Sequence, residues 1–158
     1  MPLQQALLQP LQGADLDELL PIEAAAYSHP WTRGNFIDSL SAGYLAFVWR
    51  DDAAQLQAYY LAMAVVDELH LLNFTVHPQR QGQGLGRAML SHLVAQARAR
   101  ACSKVWLEVR QSNARARTLY ARNGFVELGL RRGYYPAVDG REDAVLMALA
   151  LEDSHGLD

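Results

Sequence analysis

The most constraining feature of this chain is a glycine-spaced stretch, Gln81-Gly82-Gln83-Gly84-Leu85-Gly86-Arg87, set between two segments of opposite periodicity. Before it, Leu69 to Val76 is an apolar run too short for most helices and rich in β-formers, which reads as a strand buried on both faces. After it, Leu90, Leu93, Val94, Ala97 and Ala101 recur at helical spacing and form one stripe of an amphipathic helix. A loop between strand and helix presents successive backbone N–H groups at the positive end of a helix dipole. Without β-carbons, it lets a phosphate approach the main chain closely. The stretch therefore reads as a pyrophosphate cradle, the plainer alternative being a tight turn and nothing more.

The identity of the phosphate ligand is narrowed by what the loop lacks. A P-loop needs a lysine after its last glycine, and none occurs here. A dinucleotide fingerprint needs Gly-x-Gly-x-x-Gly, but its third position falls on Met89 when counted from Gly84 and on Arg87 when counted from Gly82. Glu108 does lie where a ribose-binding acid would, so this reading stays open at the level of the loop.

The order of elements weighs against it. Leu3 to Leu11 reads as an edge strand broken by Pro10 and Gly13. A helix follows, capped by Asp15 or Asp17, with Leu16, Leu19 and Leu20 on its apolar side and Pro21 in an early turn or at a kink. Thr32 caps a second helix that buries Phe36, Ile37 and Leu40 and stops at Gly43. Tyr44 to Arg50 and Gln55 to Val66 then form a hairpin around Asp51-Asp52. Beyond the glycine loop and its helix, Lys104 to Arg110 alternates, with Trp106, Glu108 and Arg110 opposite the apolar Val105, Leu107 and Val109. Ser112 or Asn113 caps a helix that ends at Asn123-Gly124. Phe125 to Leu130 and Ala144 to Leu151 close the chain as strands around a loop rich in Arg, Gly and Tyr. Antiparallel strands thus come first, and only one βα crossover lies in the middle, whereas a doubly wound nucleotide fold opens with βαβ and repeats it.

With 158 residues the chain is most simply one domain with a sizeable core. Its net charge of −3 argues against a general nucleic-acid binder. Cys102 is the sole cysteine, so an internal disulfide is excluded and a reducing compartment fits. The five histidines are not paired at ligand spacing, so no metal is expected. The start lacks a signal-like pattern and no run is long enough to cross a bilayer, so neither membrane nor nucleic acid is an expected partner, and the expected location is cytoplasmic.

The residues now assembled resemble the GNAT superfamily of acetyl-CoA-dependent N-acetyltransferases, whose pattern Gln/Arg-x-x-Gly-x-Gly/Ala is met by Gln81, Gly84 and Gly86. The likeness extends to Pro30-Trp31, Asp67-Glu68, Trp106 to Arg110, Ser112-Asn113, Leu119-Tyr120, Asn123-Gly124-Phe125, Arg131 to Pro136 and Gly140 to Ala144. Over about nine tenths of its length the chain is similar to the RimI-type ribosomal-protein-alanine N-acetyltransferases; one departure is Gly82, where bacterial members often carry a basic residue.

The resemblance implies an α/β (α+β) fold: a mixed, mostly antiparallel sheet splayed in the middle and flanked by about four helices. Residues 1–152 would form one N-acetyltransferase domain and 153–158 a disordered tail. It implies that the main chain of Phe74, Thr75 and Val76 pairs with the pantetheine of acetyl-CoA, that Gln81, Gly82, Gln83, Gly84, Leu85, Gly86 and Arg87 hold the pyrophosphate, and that Asn113 contacts the pantetheine. It makes Glu108 the general base, through water, where the residues alone allow a strand acid paired with Arg110. Tyr120, seven residues after Asn113 and so near the same helical face, becomes the general acid, where the residues alone allow a core tyrosine. As an acid Tyr120 works against a mismatch of about 1.5 pK units with a thiol, or about 2 kcal/mol, which concerted transfer and preorganisation can offset. Trp31, Tyr134 and Tyr135 are implied walls for the acceptor peptide; Glu23, Asp67 and Glu142 read as solvated acids able to attract a basic one.

The acceptor implied is the N-terminal alanine of a small-subunit ribosomal protein. Acid–base chemistry agrees, because an α-amine of pKa about 7.8 is roughly one-seventh neutral at pH 7, whereas a lysine near 10.4 is neutral in about four molecules per ten thousand. A modest carboxylate base suffices for the first. Two other functions remain on the same fold: acetylation of a small-molecule amine, and CoA binding without catalysis.

Overall fold

The structure, a computed structural model, describes residues 8–151. The part of the expected first strand before Leu8 and the expected tail, 153–158, lie outside the described residues. The elements run β1 (Leu8–Pro10), α1 (Leu16–Ala26), α2 (Arg33–Ser41), β2 (Leu45–Arg50), β3 (Leu56–Val65), β4 (Glu68–Val76), α3 (Leu85–Ala99), β5 (Lys104–Arg110), α4 (Ala114–Arg122), β6 (Val126–Ala137) and β7 (Gly140–Ala150). The strand order is β1-β2-β3-β4-β5-β7-β6, so β1 lies at an edge as Pro10 requires. β4 pairs with β5 in parallel, and β1·β2, β2·β3, β5·β7 and β6·β7 pair antiparallel. The chain divides into two compact units. One holds the described residues up to Ala64 together with Leu72–Leu93, the other Val65–Leu71 together with the described residues from Val94 onward. Among the described residues no helix is long and apolar enough to cross a membrane.

In the first unit, α1 buries Leu16, Leu19, Ile22 and Glu23, a stripe at the 3.6-residue period that Pro21 does not interrupt. Thr32 caps α2 as its sequence demands: its hydroxyl accepts from Asn35 N at 3.1 Å while Asn35 Oδ1 accepts from Thr32 N at 2.9 Å. Phe36 is fully buried and meets Tyr59 edge-on, with ring centroids 6.1 Å apart. Ile37, expected inside, is instead exposed, because the buried face of α2 passes through Phe36 and Ser39. The core here unites Leu11, Leu16, Leu19, Ile22, Phe36 and Tyr59 with inward residues of β2 and β3.

The expectation that the Leu69 strand is buried on both faces is corrected. β4 alternates, with Leu69, Leu71, Asn73 and Thr75 buried and the intervening residues half-buried. Two of the inward residues are polar because a buried polar cluster awaits them. Ala101 likewise falls outside its helix, which ends at Ala99; the backbone of Ala101 has turned to φ 56°.

In the second unit, β5 lies between β4 and β7 in the sheet order. Val105, Leu107 and Val109 lie opposite Leu149, Met147 and Val145 of β7, and all of these but Leu149 are core. The parallel ladder of β4 and β5 runs from Glu68↔Lys104 to Leu71↔Leu107, while β4 itself continues to Val76. A second correction concerns the stretch expected to loop after Leu130. It is strand: β6 and β7 form one long hairpin whose register pairs Tyr135 with Glu142 and Ala137 with Gly140, with a shift between Arg131 and Tyr135. Arg141 donates to the carbonyls of Gly133 and Tyr134, and Asp143 accepts from Gly133 N, so these cross-strand bonds replace the apolar pattern that usually announces a strand.

α4 ends on a left-handed glycine. Gly124 has φ 95°, its N–H reaches Ala121 O, and Phe125 N reaches Tyr120 O at 3.0 Å. A β-carbon there would meet Leu149 Cδ1 at 3.1 Å. Gly124→Ala is therefore expected to cost about 1–2 kcal/mol through backbone strain and crowding, read as a lower urea midpoint with an unchanged m-value.

Candidate active site

The register of β4 against β5 places His70 beside Trp106, and the two rings stack with centroids 3.6 Å apart and an angle of 9°. Glu108 projects from the same face of β5, one alternation further on. Its side chain is 5% exposed, and each carboxylate oxygen has a partner: His70 Nε2 lies 3.2 Å from Oε1, and Arg131 Nη1 lies 2.5 Å from Oε2. A carboxylate accepts, so the imidazole carries its proton on Nε2. Burial holds His70 below the ordinary histidine pKa although Glu108 pulls the other way, which keeps the ring neutral near pH 7. Arg110, the partner that the strand alone allows for Glu108, binds Glu142 Oε1 at 3.1 Å and Pro136 O at 2.8 Å.

Tyr134 and Tyr135 come to this cluster from β6. Their rings meet edge-on with centroids 4.9 Å apart. The Arg131 guanidinium lies 4.5 Å from the Tyr134 centroid and that of Arg110 lies 4.6 Å from the Tyr135 centroid. Burial, and next the negative charge of Glu108, push the Tyr135 phenol above its ordinary value. Glu142, expected as a solvated acid, is committed: it accepts from Ser112 N at 2.8 Å, and its pKa is lowered by hydrogen bonds from Ser112 and by Arg110.

Tyr120 is the buried residue of α4, with its ring 5.6 Å from that of Phe125. Asn113 begins the same helix, and its Oδ1 accepts from Ala116 N at 3.2 Å. Its side-chain oxygen is thus engaged as a helix cap.

The first unit, taken by itself, holds the glycine loop and a polar cluster that sequence reasoning missed. Gly82 and Gly84 have φ of 81° and 85°, which side chains disfavour, and open space surrounds the position of a β-carbon at each. Gly86 lies in the first turn of α3, which starts at Leu85. Gln81 Nε2 donates to Val76 O at 3.4 Å, tying the loop to the end of β4. The loop main chain is therefore open to a close-approaching anion, as a pyrophosphate needs.

Behind β4, Glu23 corrects its expected solvated role. It is 1% exposed and accepts from Tyr59 OH at 2.6 Å, Trp31 N at 2.9 Å and Asn73 Nδ2 at 3.2 Å. Asn73 Oδ1 accepts from Thr75 Oγ1 at 2.7 Å, which in turn lies 2.7 Å from Tyr27 OH. Tyr27 OH donates to Phe74 O at 2.8 Å, and desolvation pushes its pKa up to about 12. The signal for this cluster was the pair of polar residues at alternate positions in an apolar strand, Asn73 and Thr75. Trp31 packs on Phe36 at 5.1 Å between centroids and also lines a groove of about 400 Å³ with Asn35, Asp38, Ser39 and Tyr44.

Comparison with known proteins places the chain. The sequence pattern of the Acetyltransferase (GNAT) family matches residues 14–125. A ribosomal protein bS18-alanine N-acetyltransferase of Escherichia coli (strain K12) is 42% identical over 141 residues, covering 89% of this chain and 95% of the relative. A second enzyme of that name, from Haemophilus ducreyi, is 38% identical over 146 residues, covering 92% of this chain and all of the relative. The crystal structure of the Escherichia coli ribosomal-protein-S18-alanine N-acetyltransferase superposes with a TM-score of 0.85 at 40% identity, covering 93% of this chain and 94% of that one. With that overlap, the mixed seven-stranded sheet and the four α-helices among the described residues are those of an acetyltransferase, and the chain belongs to the GNAT family.

Proposed function

We propose that the protein moves acetyl from acetyl-CoA to the α-amine of the N-terminal alanine of a small-subunit ribosomal protein, with residues 1–152 working as one acetyltransferase domain. The observation that carries this reading is Glu108, a shielded carboxylate with an aromatic wall beside it, on a chain 42% identical to an enzyme named for alanine N-acetylation of bS18. Main-chain groups of Phe74, Thr75 and Val76 hold the pantetheine, with Asn113 contributing its amide, while the main chain from Gln81 to Arg87 holds the pyrophosphate. The open, left-handed glycines fit that role. Acetyl-CoA supplies the thioester; the chain's residues orient the reactants and move protons.

The amine nitrogen attacks the thioester carbonyl carbon and the carbon–sulfur bond breaks. Glu108 accepts the nitrogen's proton through water, and Tyr120 gives its phenolic proton to the departing sulfur. Transfer is direct, because Cys102 is buried and burial raises its thiol pKa, which makes it a poor nucleophile. Trp31, Tyr134 and Tyr135 flank the acceptor peptide.

Incubation with acetyl-CoA and a peptide beginning with alanine, followed by mass-spectrometric location of the acetyl group, tests the assignment. Acetyl on the α-nitrogen is expected; turnover undiminished by a blocked N-terminus would reject it. Tyr120→Phe is expected to lower kcat by about 10²-fold, and raising the pH should not restore it, because a missing proton donor is not replaced by a more basic medium. A parent-like rate would remove Tyr120 from the mechanism.

A further inference from the structure

The Glu108 carboxylate already holds a cation that comes from the protein itself. Arg131 sits on β6 opposite Ala144 of β7, at the near end of the register shift between Arg131 and Tyr135. Its side chain is 54% exposed, yet its guanidinium reaches a carboxylate that is 5% exposed and lies across the face of Tyr134. One carboxylate oxygen and one aromatic face make a box for a single compact cation. His70 cannot fill it, since it is held neutral and bonds the other oxygen.

We propose that Arg131 is a built-in competitor: its guanidinium occupies the box formed by Glu108 and Tyr134, and the protonated amino terminus of the acceptor enters by displacing it. The inference rests on the function proposed above and concerns the encounter before any proton leaves the amine. An α-ammonium offers N–H donors to the vacated oxygen and a positive charge to the ring, so it replaces both contacts of Arg131. A neutral, blocked or acidic terminus replaces neither. Arg131 thereby acts as a specificity-determining residue, setting a threshold that only a cationic terminus crosses. The threshold is low, because a half-exposed ion pair is worth up to about fivefold in an equilibrium constant.

The test uses L-alaninamide, a cation with a free α-amine, titrated against the full-length protein without acetyl-CoA and followed by NMR of the tyrosine rings. Binding to Arg131→Ala should be about fivefold tighter than to the parent. Arg131→Lys should remain near the parent, and the neutral N-acetyl-L-alaninamide should show no gain. Adding Glu108→Gln to Arg131→Ala should abolish the gain. In steady-state transfer, Arg131→Ala should lower KM for an alanine-starting peptide by more than it changes kcat. Equal affinity of L-alaninamide for parent and Arg131→Ala, or a raised KM in that variant, would overturn the proposal. Because the titration needs no turnover, a parent that fails to acetylate any peptide would sink the proposed function while the titration still decides the fate of the box.

Discussion

Glu108→Gln is expected to lower kcat for transfer to an alanine-starting peptide by about 10²–10⁴-fold at pH 7, with acetyl-CoA affinity near that of the parent. Glutamine keeps the shape of the side chain and one oxygen acceptor toward Arg131 or His70, so the site should survive while the base is lost. The pH profile separates this from a packing defect. For an α-amine of pKa about 7.8 the neutral fraction rises from about one in twenty at pH 6.5 to about nine in ten at pH 9, so a variant without a base should gain steeply with pH as the medium deprotonates its substrate. The parent should gain less. His70 adds little to the comparison, because burial lowers its pKa from the ordinary histidine value, so its titration falls toward the acid end of that range or below it. A variant running at the parent rate at pH 7, or one with a flat profile, would refute the base assignment.

Glu23→Ala is expected to carry the largest stability penalty, about 3–5 kcal/mol in urea unfolding. The loss is not of one bond. Tyr59 OH, Trp31 N and Asn73 Nδ2 all donate to this carboxylate, and truncation strands donors that have no water to turn to. Glu23→Gln should fall between, since an amide can accept at one oxygen only and turns an N–H₂ toward donors. An exposed acid of the same helix sets the baseline: Asp17 pairs with Arg33 at 2.6 Å, but its side chain is 86% exposed, so Asp17→Ala should stay within about 0.5 kcal/mol. Were Glu23→Ala to unfold within about 1 kcal/mol of the parent, the donors around this carboxylate would not depend on it. The cluster also bears on function. Tyr27 secures the Phe74 carbonyl and Glu23 secures the Trp31 amide, so two implied binding elements share one buried support.

How much could be read from the chain follows from the range of each interaction. The glycine loop, the helix after it and the alternation of Lys104–Arg110 are local patterns, and they appear where their periodicities put them, save that the helix ends before Ala101. The caps at Thr32 and Asn113 act across three residues and are equally legible. The β6–β7 hairpin past Leu130 was not, because a strand exposed along most of its length has no apolar face to advertise it; its Arg, Gly and Tyr run looks like a loop until cross-strand bonds are seen. Tyr120 illustrates the middle case: its inward position follows from helical spacing, while its role does not.

The sequence alone determined most of the element order and the loop that suits a pyrophosphate and, through the family resemblance, the sheet architecture and the candidacy of Glu108, since each rests on residues within a few positions of one another or on a motif read in place. Only the tertiary structure decided what surrounds that carboxylate and what Glu23 does. His70, Glu108 and Arg131 come from three separate strands, as Glu23, Tyr59 and Asn73 come from a helix and two strands. A side chain's charge and exposure depend on neighbours brought in through strand register, and register is a property of paired segments that no single stretch of the chain contains.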